Sequence, residues 1–307
     1  MEYGAHLPLI DFGDGSYTLP RLQKYAATAR DLGFRYLAAN DHLIFPKPWL
    51  DGPTALAAVL AESGDMTLAT TVALPTIRGP VAFAKAASAL DYLSGGRLLV
   101  GVGPGSSPLD YHVVGIPFEE RWKRLEESVQ VLRALWNPGG PSFSGRFYST
   151  DGAELLPAPA QSGGPPIWIG SWGSPIGLRR VARLADGWLA SAYNTTPERF
   201  THALKKLRET LEAEGKDAAA FPNGLGTAWT FISDDADEAE RVLRDVVAAL
   251  VRRPPEELRG SILVGTREHC RDLLRAYRDA DVQRLLIWPV RDDLQQLEVF
   301  MEIAEGV

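Results

Sequence analysis

The chain predicts an α/β fold of the (β/α)8-barrel type. Three observations carry that expectation: short apolar runs alternate with helical patterns, composition never breaks along the chain, and eight strand candidates can be placed. Eight such units take about 250 residues. The 307 residues present therefore leave room for insertions within one domain spanning 1–307. An open, doubly wound sheet is the structural alternative that the same alternation allows.

The first strand is placed at His6–Ile10, where the apolar run begins. Leu19, Leu22, Ala26, Ala29 and Leu32 keep helical spacing up to Gly33, a residue suited to the position after a helix. A strand at Tyr36–Ala39 ends in Asn40-Asp41-His42, and a helix from Thr54 to about Glu62 precedes a strand at Thr67–Ala73. Pro80 opens the next helix, with Val81, Ala84, Ala87 and Leu90 as its apolar stripe and Ser94-Gly95-Gly96 as its end. Leu98–Val102 is almost wholly apolar, as expected of a parallel strand covered on both faces. Pro117 opens an amphipathic helix carrying Phe118, Trp122, Leu125, Val129, Leu132 and Trp136 on one face.

Asn137–Pro166, rich in Pro, Gly and Ser, is the main insertion, with lesser ones around Gly215–Asn223 and Arg252–Gly260. Ile167–Ile169 and Trp188–Ala190 are short strands flanking a helix at Ile176–Leu184. Pro197–Glu214, Asp235–Val251, Arg267–Asp279 and Asp292–Glu305 read as helices, and Leu225–Ile232 and Arg284–Trp288 as the remaining strands.

A hydrophobic content of 45% with 23% charged residues describes a globular chain with a sizeable core. Thirty-two basic residues against 39 acidic ones, with no basic run, argue against a nucleic-acid surface. The N-terminus lacks the pattern of a signal peptide and no apolar stretch would span a bilayer, so a soluble, cytoplasmic protein is expected. Cys270 is the one cysteine, lies in a helical pattern and reads as a packed, inert thiol.

In a barrel the residues that follow the C-terminal ends of strands line the active site. His42 beside Asp41 is an oriented imidazole able to exchange protons near neutral pH, or alternatively a loop cap. Thr70-Thr71-Val72 could be strand formers and nothing more. Gly103-Pro104-Gly105-Ser106 gives a ligand close access to backbone, or forms a rigid turn. It is neither a dinucleotide fingerprint nor a P-loop. Gly170-Ser171-Trp172-Gly173-Ser174 precedes a helix. Its amides and hydroxyls suit an anion, although serine there is as readily a plain N-cap. No metal-ligand motif is present, and none of the usual nucleophile-elbow or paired-cysteine patterns occurs. Phe45, Trp49, Tyr111, Phe143 and Tyr148 in the long loops suggest an apolar or aromatic-lined pocket, or alternatively simply pack the insertion.

Several segments, in order, resemble the luciferase-like monooxygenases. They are Ala82–Ala86, Leu90–Arg97 into Gly101–Gly103, Phe118–Glu127, Phe143–Tyr148, Pro165–Gly170 and Ala185–Trp188. The resemblance covers roughly residues 1–195 and weakens beyond. It implies a (β/α)8 barrel that binds FMN or a deazaflavin coenzyme at its C-terminal mouth. A non-proline cis peptide within Thr70–Val72 would support the ring. His42 would be the proton-transfer residue with Asp41 as its orienter, and Gly170–Ser174 would hold the cofactor phosphate. The Gly103–Ser106 variant is more similar to the deazaflavin branch, which transfers hydride, than to the FMN branch, which activates dioxygen. Under FMN, a separate flavin reductase would be the partner, and a homodimer accords with relatives. A non-catalytic flavin-binding barrel and a metal-dependent barrel hydrolase are the competing readings.

Overall fold

The computed structural model describes residues 1–13 and 18–307. Among the described residues there are nine parallel strands: β1 Glu2–His6, β2 Tyr36–Ala39, β3 Thr67–Ala73, β4 Leu98–Val102, β5 Ile167–Gly170, β6 Gly187–Ser191, β7 Asn223–Ile232, β8 Leu263–Gly265 and β9 Arg284–Pro289. Eight of them close a ring, because β6 pairs with β7, β7 with β9 and β9 with β1. The short β8 pairs only with the far half of β7, outside the ring. The barrel expected from the alternation is therefore the fold, and the open sheet is excluded by closure.

Helices cover the outside, and their apolar faces pack on the outward side chains of the strands as one continuous core. The barrel interior is a separate, smaller cluster of Tyr36, Ala38, Ala69, Leu99, Trp168, Leu189 and Leu286, with Val72 packed against it. These inward residues alternate with outward ones along each strand, as a pleated sheet requires. At the N-terminal end, Tyr36 donates to Glu2 at 2.8 Å and accepts from Arg284 at 2.6 Å, a polar stopper.

Some boundaries differ from the sequence expectation. The first strand is Glu2–His6, not His6–Ile10. Leu7, Leu9 and Ile10 are buried in the loop that follows, where Leu50 donates its N–H to the Leu9 carbonyl. Pro8 has no N–H to give a ladder, so the apolar run could not continue the strand. The helix expected at Thr54–Glu62 is Gly52–Ala58, started by Asp51, whose carboxylate accepts from Thr54 N at 2.9 Å. A short 3-10 turn, Phe118–Glu120, separates Pro117 from the helix Arg121–Trp136. The 235–251 helix is interrupted by a π-helical stretch at Val242–Ala248.

Segment 137–166 lies over the helix Pro80–Leu93. Ser88 donates to the Pro157 carbonyl, and the Asp91 carboxylate accepts from Gln161 N at 3.0 Å and Nε2 at 2.7 Å. Glu127 fixes its other end by accepting the N–H groups of Arg146, Phe147 and Tyr148. No helix among the described residues is long and apolar enough to cross a membrane.

Candidate active site

A cavity of about 470 Å³ opens at the C-terminal mouth of the barrel, within the range of small-molecule sites. Its floor is the β3 bulge. Pairing of β3 with β4 slips between Thr70 and Ala73, and the Thr71–Val72 peptide bond is cis. The slip turns Thr71 and Val72 toward the cavity, while Thr70 is buried and donates to the Gly101 carbonyl at 2.7 Å. Thr70 is thus a tie between strands and not a lining residue. A Cβ on Gly103 would come within 2.7 Å of Val72 Cγ2, and one on Gly170 within 3.1 Å of Val72 Cγ1. The two glycines let the bulge seat between β4 and β5. Gly105 takes φ +73°, which a side chain would disfavour, and together with Ser106 completes that wall.

The end of β2 sends three consecutive side chains to three places. Asn40 Oδ1 accepts Val72 N at 3.3 Å, fixing the bulge from the second strand. Asp41, almost fully buried, accepts Leu74 N at 3.1 Å and a two-armed contact from Arg78, with Nε 2.6 Å from Oδ2. Arg78 also reaches Asp51. Burial opposes the charge on Arg78, but hydrogen bonds and charge from Asp41 and Asp51 raise its pKa above the ordinary arginine value.

Asp41 therefore does not orient His42, contrary to expectation. That place is taken by Asp110, whose side chain is 1% exposed and whose Oδ2 lies 2.8 Å from His42 Nδ1. Asp110 Oδ1 accepts the N–H groups of Leu43 at 3.2 Å and Ile44 at 2.8 Å, so one carboxylate sets both the ring and the loop that carries it. Ser107-Pro108-Leu109-Asp110 reads locally as a helix start, and Ser107 indeed accepts from Asp110 N at 3.3 Å. The contact with His42 spans 68 positions and leaves no local trace. Phe45 and Trp49 pack on the His42 ring, with centroids at 5.0 and 4.8 Å.

On the opposite wall, Gly170, Ser171, Trp172 and Ser174 line the cavity, whereas Gly173 does not. Ser174 Oγ accepts Gly177 N at 3.2 Å, which makes it the N-cap of the helix Pro175–Leu184. Ser171 Oγ accepts Gly173 N at 3.4 Å. Residues not anticipated as lining include Asn40, Arg121, Trp122, Ser191, Tyr193 and Thr227. Of the aromatic residues expected there, none lines the cavity. Tyr111 donates to the Pro104 carbonyl beneath the glycine wall, and Phe143 and Tyr148 pack in the insertion. Phe118, Trp122, Trp172 and Tyr193 supply the aromatic surface instead. No group of three or more His, Cys, Asp or Glu side chains among the described residues could hold a metal ion.

Five strand ends converge on one cavity, at the C-terminal mouth where barrels of this kind bind their ligands. A family profile described as luciferase-like monooxygenase matches residues 7–258, and the chain belongs to that family. It is an oxidoreductase of the family. An F420-dependent glucose-6-phosphate dehydrogenase of Nakamurella multipartita is 32% identical over 250 residues, 77% of this chain and 70% of that protein. An F420-dependent hydroxymycolic acid dehydrogenase of Mycobacterium tuberculosis is 27% identical over 305 residues, 91% of this chain and 82% of its own length. Among solved structures, an F420-dependent secondary alcohol dehydrogenase in complex with an F420-acetone adduct superposes with a TM-score of 0.86 at 20% identity. The superposition covers 98% of this chain and 97% of that one. Monooxygenase RslO1 from Streptomyces bottropensis superposes at 0.83 with 22% identity, covering 98% of each chain. These two structural likenesses establish the fold alone.

Proposed function

We propose that the protein is a deazaflavin-dependent oxidoreductase of the F420 type that exchanges hydride with a carbinol or carbonyl carbon of a small organic substrate. The observation that carries this reading is the His42–Asp110 pair at the rim of a cavity floored by the cis Thr71–Val72 bulge. The cavity fits a flat, largely apolar ring. Val72, Leu74 and Leu189 offer it aliphatic surface, and Gly103 and Gly170 keep the walls free of side chains beside Val72. Ser106, Ser171, Ser174 and Arg121 would meet the polar and anionic part of the cofactor, with Arg121 held over the Phe118 ring at 4.0 Å. A bound deazaflavin would supply a two-electron hydride carrier.

The chain's own groups manage the proton. With Asp110 accepting the Nδ1 proton, His42 Nε2 is left as the basic atom, able to take the proton of a substrate hydroxyl or return it to a carbonyl oxygen. Asp110 steadies the imidazolium that this transfer creates. Phe45 and Trp49 shield the ring edge from water. Relatives that are F420-dependent dehydrogenases support hydride transfer over oxygen insertion, and the resemblance of the Gly103–Ser106 sequence to the deazaflavin branch points the same way.

Titrating the apo protein with F420 and separately with FMN, followed by fluorescence, tests the reading. Selective F420 binding is expected. Selective binding of reduced FMN would make the protein a monooxygenase that draws on a separate reductase, and binding of neither would remove the proposal. His42→Ala is expected to keep cofactor affinity while losing turnover, and unchanged turnover would sink the acid–base assignment.

A further inference from the structure

Directly behind the cavity floor lies a titratable side chain to which the reading above gives no task. His6 ends β1 and is fully buried. Its ring stacks on Trp288 at 4.5 Å and 8°, and Trp288 stacks on Trp229 at 4.3 Å and 19°. The stack follows from strand register: Trp229 is paired with Trp288 across β7 and β9, and Ala5 with Ile287 across β1 and β9, which puts His6 beside Trp288. Trp49 meets the other edge of Trp288 at 88°. The imidazole plane is thus fixed from several sides.

Among the described residues, the one hydrogen-bonding partner of the His6 ring is Thr71. Its Oγ1 lies 3.1 Å from Nε2 and 3.5 Å from Nδ1. Thr71 lines the cavity and supplies the carbonyl side of the cis bond, whose N–H side, Val72 N, is held by Asn40. A phenylalanine would stack on Trp288 equally well. What an imidazole adds is polar nitrogen within 3.1 and 3.5 Å of a hydroxyl whose side chain otherwise has three staggered wells to choose from.

We propose that His6 is a positioning residue that holds the Thr71 hydroxyl in one orientation, so that Thr71 Oγ1 presents a fixed hydrogen-bonding group to the edge of the bound ring. This rests on the reading of the cavity as the cofactor site. Burial lowers the imidazole pKa to about 3, so His6 stays neutral, with one donor and one acceptor nitrogen, at every working pH. The hydroxyl orientation is therefore insensitive to pH in that range.

The test is a double-mutant cycle on the full-length protein with His6→Phe, Thr71→Val and the pair. Thermal stability of the apo forms is read first, then the dissociation constant for F420 and the absorption maximum of the bound cofactor. Each single variant is expected to weaken binding by about three- to tenfold and to move the absorption maximum in the same direction. The double variant should match Thr71→Val rather than sum the two. His6→Gln, which can offer an amide to the hydroxyl, should recover part of the spectral shift, and replaces His6→Phe in the cycle if the latter fails to fold. Additive effects, or His6→Phe with wild-type affinity and spectrum, would overturn the inference while leaving the cofactor reading intact. A wild-type protein that binds neither F420 nor FMN would overturn that reading, and this inference with it.

Discussion

Asp110→Asn separates orientation of the His42 ring, the proposed acid–base group, from folding of its loop. The carboxylate accepts three contacts, from His42 Nδ1 at 2.8 Å and from the N–H groups of Leu43 and Ile44. An amide oxygen in place of Oδ1 can still accept both backbone N–H groups, so the loop keeps its shape. The amide nitrogen in place of Oδ2 donates to Nδ1 and forces the proton to Nε2, the atom proposed to act as base. General acid–base catalysis contributes about 10²- to 10⁴-fold, and a wrong tautomer forfeits most of it. Turnover should therefore fall by about 10²- to 10⁴-fold with F420 affinity and melting temperature near wild type. Asp110→Ala is different. It also abandons the two N–H groups and should cost about 1–3 kcal/mol of stability, since Leu43 and Ile44 are exposed enough for water to replace part of the loss. Single-turnover absorbance of the cofactor is the assay, with binding measured independently. If Asp110→Asn turns over at the wild-type rate, or loses rate only in step with cofactor affinity, the orienting role is refuted.

Acid should destabilise the fold through His6, whose pKa is about 3 when folded against 6.5 as a free side chain. Between these values the unfolded chain binds a proton that the folded chain does not. Stability is therefore complete above about pH 6.5 and drops by up to about 1.4 kcal/mol per unit as pH falls toward 3, a slope that His6→Phe should remove from urea melts. Cys270 is fully buried and burial pushes its thiol up to about 12, so thiol reagents should label the protein only after unfolding; fast native labelling would contradict the packing. Thr227 lines the cavity at φ +54°, a conformation unfavourable to a β-branched residue by about 1–2 kcal/mol. Thr227→Gly is expected to leave the melting temperature within a few degrees of wild type yet weaken cofactor binding. A large drop in melting temperature with unchanged affinity would assign the side chain to structure instead.

Strands buried along all or most of their length were legible from composition, as at Leu98–Val102, buried throughout, and Thr67–Ala73, buried except at Thr67 and Val72. β1 was displaced because its residues, Glu2-Tyr3-Gly4-Ala5-His6, look polar while the buried loop after it looks like a strand. β8 was missed because three residues, Leu263–Gly265, are too few to show a period. The cavity wall at Gly103–Ser106 and the lining place of His42 could be anticipated, since a barrel gathers strand ends, whereas Thr71 and Val72 were indicated only by the family resemblance. Arg121 and Trp122 could not, because on the helical wheel they read as the start of an ordinary amphipathic helix.

The instructive error is Asp41. Adjacent residues at a strand end point to opposite faces, so in a closed barrel neighbours in sequence address different neighbours in space. Asn40, Asp41 and His42 obey this: the first holds the bulge on β3, the second grips Arg78 beyond β3, and the third crosses to Asp110 beyond β4. An Asp-His dipeptide is for that reason weak evidence of an Asp–His pair. A barrel supplies the histidine's orienter from another strand's loop, and the adjacent aspartate is left to brace the loop that positions them both. Loss of Asp41 should accordingly disturb the loop through Arg78 and Leu74, and reach His42 only as a consequence.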